Sequence, residues 1–130
     1  MRLRAALAGP AVAMAGGWGG AAHAVTQSNF QLRNTEDLVA LCAAKPSEGA
    51  MQTAASNFCH GFTQGAVSVL LQQDRANDKA KPFCFPTPAP ARSVTIGEFV
   101  KWAAANPKHM EDRAADGFFA FLGERFPCGK

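Results

Sequence analysis

The stretch "TAASNFCHGFTQGAVSVLLQQD", residues 53–74, decides the fold class. Phe58, Phe62, Ala66, Val69 and Leu70 recur at three- and four-residue spacing, the period of a helix buried along one stripe. Gly61 and Gly65 stand beside that stripe. Glycine in a helix interior costs about 1 kcal/mol, so the two together predict that another backbone packs against this face.

The same period continues on both sides. Upstream, in "NTEDLVALCAA" (34–44), Asn34 or Thr35 can cap the amides of a first helix, and Glu36 and Asp37 fall in its first turn, where the helix dipole favours negative charge. Leu38, Leu41 and Cys42 share one face, and "KPSEG" (45–49) ends the helix. Residues 25–34 have no clear period and are expected to be a flexible or partly docked start. Downstream, the polar run "QQDRANDKAK" (72–81) closes the long helix. "PFCFPTPAPARS" (82–93) follows with four prolines, whose fixed φ angles and missing amide donors predict an extended loop.

"TIGE" (95–98) has the form of a capping box, with Thr95 and Glu98 exchanging side-chain and backbone bonds at the start of a third helix running to about Ala105. Ile96, Phe99, Val100 and Ala103 point inward, with Trp102 beside them. In "NPKHMED" (106–112), Asn106 suits a cap and Pro107 a first helical position. A fourth helix is expected from there to about Arg125, with Met110, Ala114, Phe118, Phe121 and Leu122 on one face. "FPCGK" (126–130) stops it. No segment alternates at period two for long enough to be a strand. The expected fold is therefore all-α: a small single-domain bundle of four to five helices with short loops.

The chain begins "MRLR", continues with the apolar run "AALAGPAVAMA" (5–15) and reaches "AAHA" at 21–24, the pattern of a signal peptide cleaved after Ala24. The apolar run is interrupted by Gly9 and Pro10 and is too short for the roughly 30 Å of a bilayer's hydrocarbon. The expectation is a periplasmic or secreted protein without a membrane span. The full chain carries +3, and loss of Arg2 and Arg4 with the leader leaves 11 basic and 10 acidic residues. A nucleic-acid partner needs clustered Lys and Arg on one face, and that is not expected here.

An even number of cysteines in a short exported chain points to disulfides. Cys42 ends the first helix and Cys59 lies early in the second, so an antiparallel hairpin brings them together. Cys84 precedes the third helix and Cys128 follows the fourth, so a second hairpin joins those. The favoured pairs are Cys42 with Cys59 and Cys84 with Cys128, and Cys59 with Cys84 is the rival.

Other chemistry finds little support. "SNFCHG" (56–61) resembles the haem attachment pattern C-x-x-C-H, with His60 and Met110 as conceivable axial ligands, but Ser56 stands where the first thiol is needed. A zinc site using His60 or His109 lacks closely spaced thiols, since no two cysteines are nearer than 17 positions. Glu36 with Asp37 and Glu111 with Asp112 are explained by helix starts. No catalytic motif is present. No catalytic residue, cofactor or metal is expected, and the protein is not expected to be an enzyme. The chain has ten Phe, two Trp and no Tyr. Most of the rings fall on inward stripes, which leaves Trp102 or Phe119 as a candidate for a partner or homodimer surface.

Five motifs occur in order: "LVALC" (38–42), "FCHGFTQG" (58–65), "FCFP" (83–86), "VTIGEFVKWAAANP" (94–107) and "FPC" (126–128). Together they resemble the Rap/Tai immunity proteins, small periplasmic proteins that inhibit peptidoglycan amidase effectors of type VI secretion systems. The resemblance spans residues 36–128 and implies a domain over residues 35–130. Phe62 stands where the family pattern usually has Tyr. The motif residues Phe58, Gly61, Phe62, Gly65, Phe83, Pro86, Thr95, Glu98, Phe126 and Pro127 are implied to be scaffold. The implied function is neutralisation of a protein partner, an amidase effector, by blocking its cleft, with the exposed loops 45–52 and 82–93 as the candidate contacts. A different class of function, a general periplasmic stress protein similar to the HdeA-type acid chaperones, would require acid-triggered exposure of apolar surface.

Overall fold

Eight residues, Thr35–Cys42, form the first helix, α1, in the computed structural model, which describes residues 24–129. A helix this short does not persist alone in water. It is held by burial, because Leu38 and Leu41 are wholly enclosed, and by complete satisfaction of its first amides. The Asn34 side chain accepts from the Asp37 amide at 3.0 Å. The Thr35 and Glu36 amides donate to the carbonyls of Asp112 and Met110 at 2.8 and 3.1 Å. Asn34 is therefore the cap, as its side chain predicts.

The remaining helices are α2 (Ala50–Ala76), α3 (Arg92–Ala105) and α4 (Ala114–Arg125), with short 3-10 turns at Gln27–Gln31, Pro46–Glu48 and Pro107–His109. No strand occurs among the described residues. None of their helices is long and apolar enough to cross a membrane. The expected leader falls outside the described residues except for Ala24.

Two core clusters meet around α1. The larger joins Leu38 to Phe83, Phe99, Phe118, Phe121, Leu122 and Phe126, so the rings of α3, α4 and the Pro-rich segment fill one side. Phe99 meets Phe118 edge to face at 5.1 Å between centroids, an arrangement that matches ring edges to ring faces. The smaller cluster joins Leu41, Ala55, Cys59 and Ile96 to Val25. Cys42 pairs with Cys59, and Cys84 with Cys128, as the hairpin argument favoured. The rival pairing of Cys59 with Cys84 is thereby excluded.

Four expectations are corrected. First, the buried stripe of α2 is Ala55, Cys59 and Thr63, whereas Phe58 and Val69 are 37% and 54% exposed. The period was right, and Phe62 and Leu70 pack half-buried against the larger core, but the fully buried positions fall one residue later because the small side chains pack against α1. Second, Gly61 and Gly65 approach nothing: a Cβ on either would meet no atom within 4 Å. The close approach belongs to Gly117, where an added Cβ would overlap the Thr35 hydroxyl and lie 2.7 Å from Thr35 Cγ2. Third, α3 begins at Arg92, one turn before Thr95. Thr95 is buried inside the helix with its hydroxyl toward the Ala91 carbonyl at 3.5 Å, and Glu98 turns to Arg125 instead of closing a capping box. Fourth, the helix expected from Asn106 is interrupted. After the Pro107–His109 turn, residues 110–113 swing out so that their carbonyls can cap α1, and α4 starts only at Ala114. Glu111 and Asp112 consequently lie in a turn.

The start of the described chain is also better ordered than its lack of period suggests. Val25 is buried, and the Gln27–Gln31 turn is fastened to α1 through Asp37. That buried carboxylate accepts from Asn29 Nδ2 (2.9 Å), the Arg33 amide (3.0 Å), Arg33 Nε (2.9 Å) and Arg33 Nη2 (3.0 Å). The Arg33 hydrogen bonds hold the Asp37 carboxyl below the usual carboxylate range against the opposing effect of burial, and the Asn29 bond adds to them.

Candidate interaction surface

The Pro-rich segment is fixed at its start and at its end. At its start, Phe83 is buried, Cys84 is joined to Cys128, and the Cys84 amide donates to the Phe126 carbonyl at 2.8 Å. At its end, the chain enters α3 at Arg92. Between these anchors residues 86–89 are exposed, and the proline content leaves few alternative backbone conformations.

This segment forms one wall of a groove of about 300 Å³. α2 forms the opposite wall with Thr63, Gln64, Val67 and Ser68, and Phe118 and Leu122 of α4 lie at the floor. Phe85, Pro90, Arg92, Thr95 and Ile96 complete the near side. The Thr63 hydroxyl donates within its own helix to the Cys59 carbonyl at 2.8 Å, so the interior offers few free donors.

Two other hollows are present. One, near the end of α2, is lined by both signs of charge, including Asp74, Arg75, Asp78 and Lys81. The other surrounds Trp102, whose ring stacks on His109 at 5.1 Å and whose Nε1 donates to Glu124 at 2.7 Å. Beside it Arg125 donates to both Glu98 oxygens, at 3.0 and 3.2 Å. His109 Nδ1 lies 2.6 Å from Asp112 Oδ2. The two carboxylates of this hollow are thus already partnered, and Lys101 also lines it.

The motif residues divide by environment. Phe83 and Phe126 are buried and Phe62 is half-buried against the larger core, while Pro86 and Pro127 are exposed. Phe58 sits at the edge of the small cluster, edge-on to Phe30 at 5.7 Å. Trp102 and Phe119 are both half-buried against the core, and Trp102 also lines the third hollow. The loop expected at 45–52 is mostly structured: Gly49, at φ +131°, begins α2, a backbone conformation suited to glycine. His60 is half-buried and has no side-chain hydrogen bond among the described residues. With Cys59 joined to Cys42, its sulfur is not available for a thioether or a metal. The groove itself was not legible from the sequence. Its residues come from three helices and a loop, and only the cluster of prolines marked its location.

The described residues thus form a short helical body stapled twice, with an apolar groove beside a loop tied down at both ends. Residues 34–128 match the family described as Rap1a immunity proteins, and the chain belongs to that family. It is thus an immunity protein, of a class whose members are non-enzymatic and act by binding a protein effector. No curated protein and no solved structure matches the chain.

Proposed function

We propose that the mature chain resides in the periplasm, where it binds a peptidoglycan amidase effector delivered by type VI secretion and occludes its cleft. Family membership over residues 34–128 is the observation that carries this reading. Two disulfides fit an oxidising compartment, and the "AAHA" exit near Ala24 fits export. The contact face is the Pro-rich loop with its adjoining groove, because a loop clamped at both ends presents its side chains at low conformational cost.

The test is to search the neighbouring reading frames for a small cysteine-histidine amidase and to measure inhibition of its peptidoglycan hydrolysis by the chain from Val25 onward. Stoichiometric loss of hydrolysis with formation of a stable complex is expected. Full hydrolysis in the presence of excess protein overturns the proposal.

A further inference from the structure

Of these three hollows, the groove between α2 and the Pro-rich loop alone combines an apolar interior with a cationic lining that includes no carboxylate. Its only charged lining residue is Arg92, and no carboxylate lines it. Arg92 is exposed and its side chain makes no ion pair or hydrogen bond with any described residue. The second hollow is lined by Asp74 and Asp78 as well as by its cations, and the third by Glu98 and Glu124, which Arg125 and the indole engage. The groove's polarity is therefore one-sided: Val67, Phe85, Ile96, Phe118 and Leu122 below, a free guanidinium at the mouth.

We infer that this groove receives one apolar side chain of the effector, aromatic or long aliphatic, with a carboxylate of the same effector segment pairing with Arg92. The inference rests on the immunity reading. A volume of about 300 Å³ is at the small end for concave ligand sites and suits a single anchoring side chain. A planar guanidinium pairs with a carboxylate through two parallel hydrogen bonds, which fixes the orientation of the anchor as well as its charge. Because Phe85 and Pro90 belong to the clamped loop, the same segment that approaches the effector's cleft also forms the wall that grips its anchor.

The probe is 3-phenylpropanoate, an aromatic ring with a nearby carboxylate, titrated into the isotope-labelled chain from Val25 onward and followed by NMR. Saturable shifts are expected at the amides of Ser68, Arg92 and Thr95. Binding should weaken at least about tenfold for the uncharged alcohol 3-phenylpropanol and for Arg92→Glu. Arg92 and Ser68 are both exposed, so Arg92→Glu and the groove-filling Ser68→Trp should fold normally, as their circular dichroism would show. Each should weaken inhibition of the amidase at least about tenfold.

If the wild-type chain inhibits and both variants inhibit equally well, the groove is not the grip and the inference is overturned while the immunity reading stands. If the wild-type chain does not inhibit, the immunity reading fails and this inference fails with it. Shifts in the same amides on concentrating the chain alone, abolished by Ser68→Trp, would assign the groove to a second copy and overturn the inference as well.

Discussion

Gly117→Ala is the most informative single substitution in this fold, because two opposing effects of known size meet there. Replacing an interior helical glycine by alanine should stabilise by about 1 kcal/mol through helix propensity. At Gly117, however, the added methyl would overlap the Thr35 hydroxyl and lie 2.7 Å from its Cγ2 and 2.9 Å from its Cβ. Thr35 cannot easily withdraw. Its hydroxyl faces the carbonyls of Asp112 and Arg113 at 3.1 and 3.3 Å, its amide donates to Asp112, and its side chain is fully buried. Overpacking of a fixed neighbour costs about 1–3 kcal/mol, and the severity of this overlap places it at the upper end. The net expectation is a loss of about 1–2 kcal/mol after the propensity gain, or roughly 5–10 °C in melting temperature for a domain of this size. Urea and thermal unfolding with the disulfides intact would measure it. Thr35→Ala should itself cost about 1 kcal/mol through its lost hydrogen bond, but it also removes the hydroxyl and Cγ2 from the overlap. The double substitution should therefore be less destabilised than the sum of the single ones by about 1 kcal/mol or more. A stabilised Gly117→Ala, or strict additivity of the pair, would refute the close approach of α4 to α1.

The opposite outcome is expected on α2: Gly61→Ala and Gly65→Ala meet open space and should each stabilise by about 1 kcal/mol in the same unfolding assay. Asp37 makes stability depend on acid. Its carboxyl titrates below its ordinary value of 3.8 in the folded chain, so the stabilisation is complete above the unfolded value and is lost as pH falls through the folded one. Asp37→Asn should cost about 1.5–3 kcal/mol at neutral pH and flatten the fall in stability below about pH 4, as seen in urea midpoints against pH. Removing the Cys84–Cys128 bridge, which spans 44 positions, should cost about 4 kcal/mol, against about 3 kcal/mol for Cys42–Cys59, which spans 17. Paired Cys→Ala substitutions would compare them, and a peptide joining Cys59 to Cys84 in the unreduced digest would contradict both pairings.

The helical class, the two pairings and the cap at Asn34 were legible because each depends on local order or on short connections. Asn34 precedes an acidic first turn, and each cysteine pair brackets a hairpin. The failures have one origin: a partner distant in sequence. Nothing between residues 106 and 113 reveals that their carbonyls will be drawn to the amides of Thr35 and Glu36, so the pattern of a helix start at Asn106 was followed too far. Thr95 and Glu98 have the form of a capping box, but the helix already begins at Arg92 behind the cap position Ala91, and Arg125 competes for Glu98. The Gly61 and Gly65 spacing suggested close packing that only three-dimensional contact could test. Gly117 held a readable clue, since it falls on the inward stripe with Ala114 and Phe121, where a missing side chain has to be compensated by a close neighbour.

The position of the second disulfide explains why the groove can serve as a grip. Binding costs free energy in proportion to the side chains and backbone it must immobilise, so a recognition loop is most effective when it is already fixed. Cys84 begins the Pro-rich segment and Cys128 follows α4, and their bond ties the loop to the helix that supplies Phe118 and Leu122 to the groove floor. Wall and floor therefore move as one unit. The Cys42–Cys59 bond holds α2, the opposite wall, to α1 in the same way. Reducing Cys84–Cys128 should then weaken effector binding by more than the loss of folded protein explains, because it frees the wall before it unfolds the body. Cys84→Ala/Cys128→Ala protein that is still folded by circular dichroism, yet binds as tightly as wild type, would show that the loop needs no clamp.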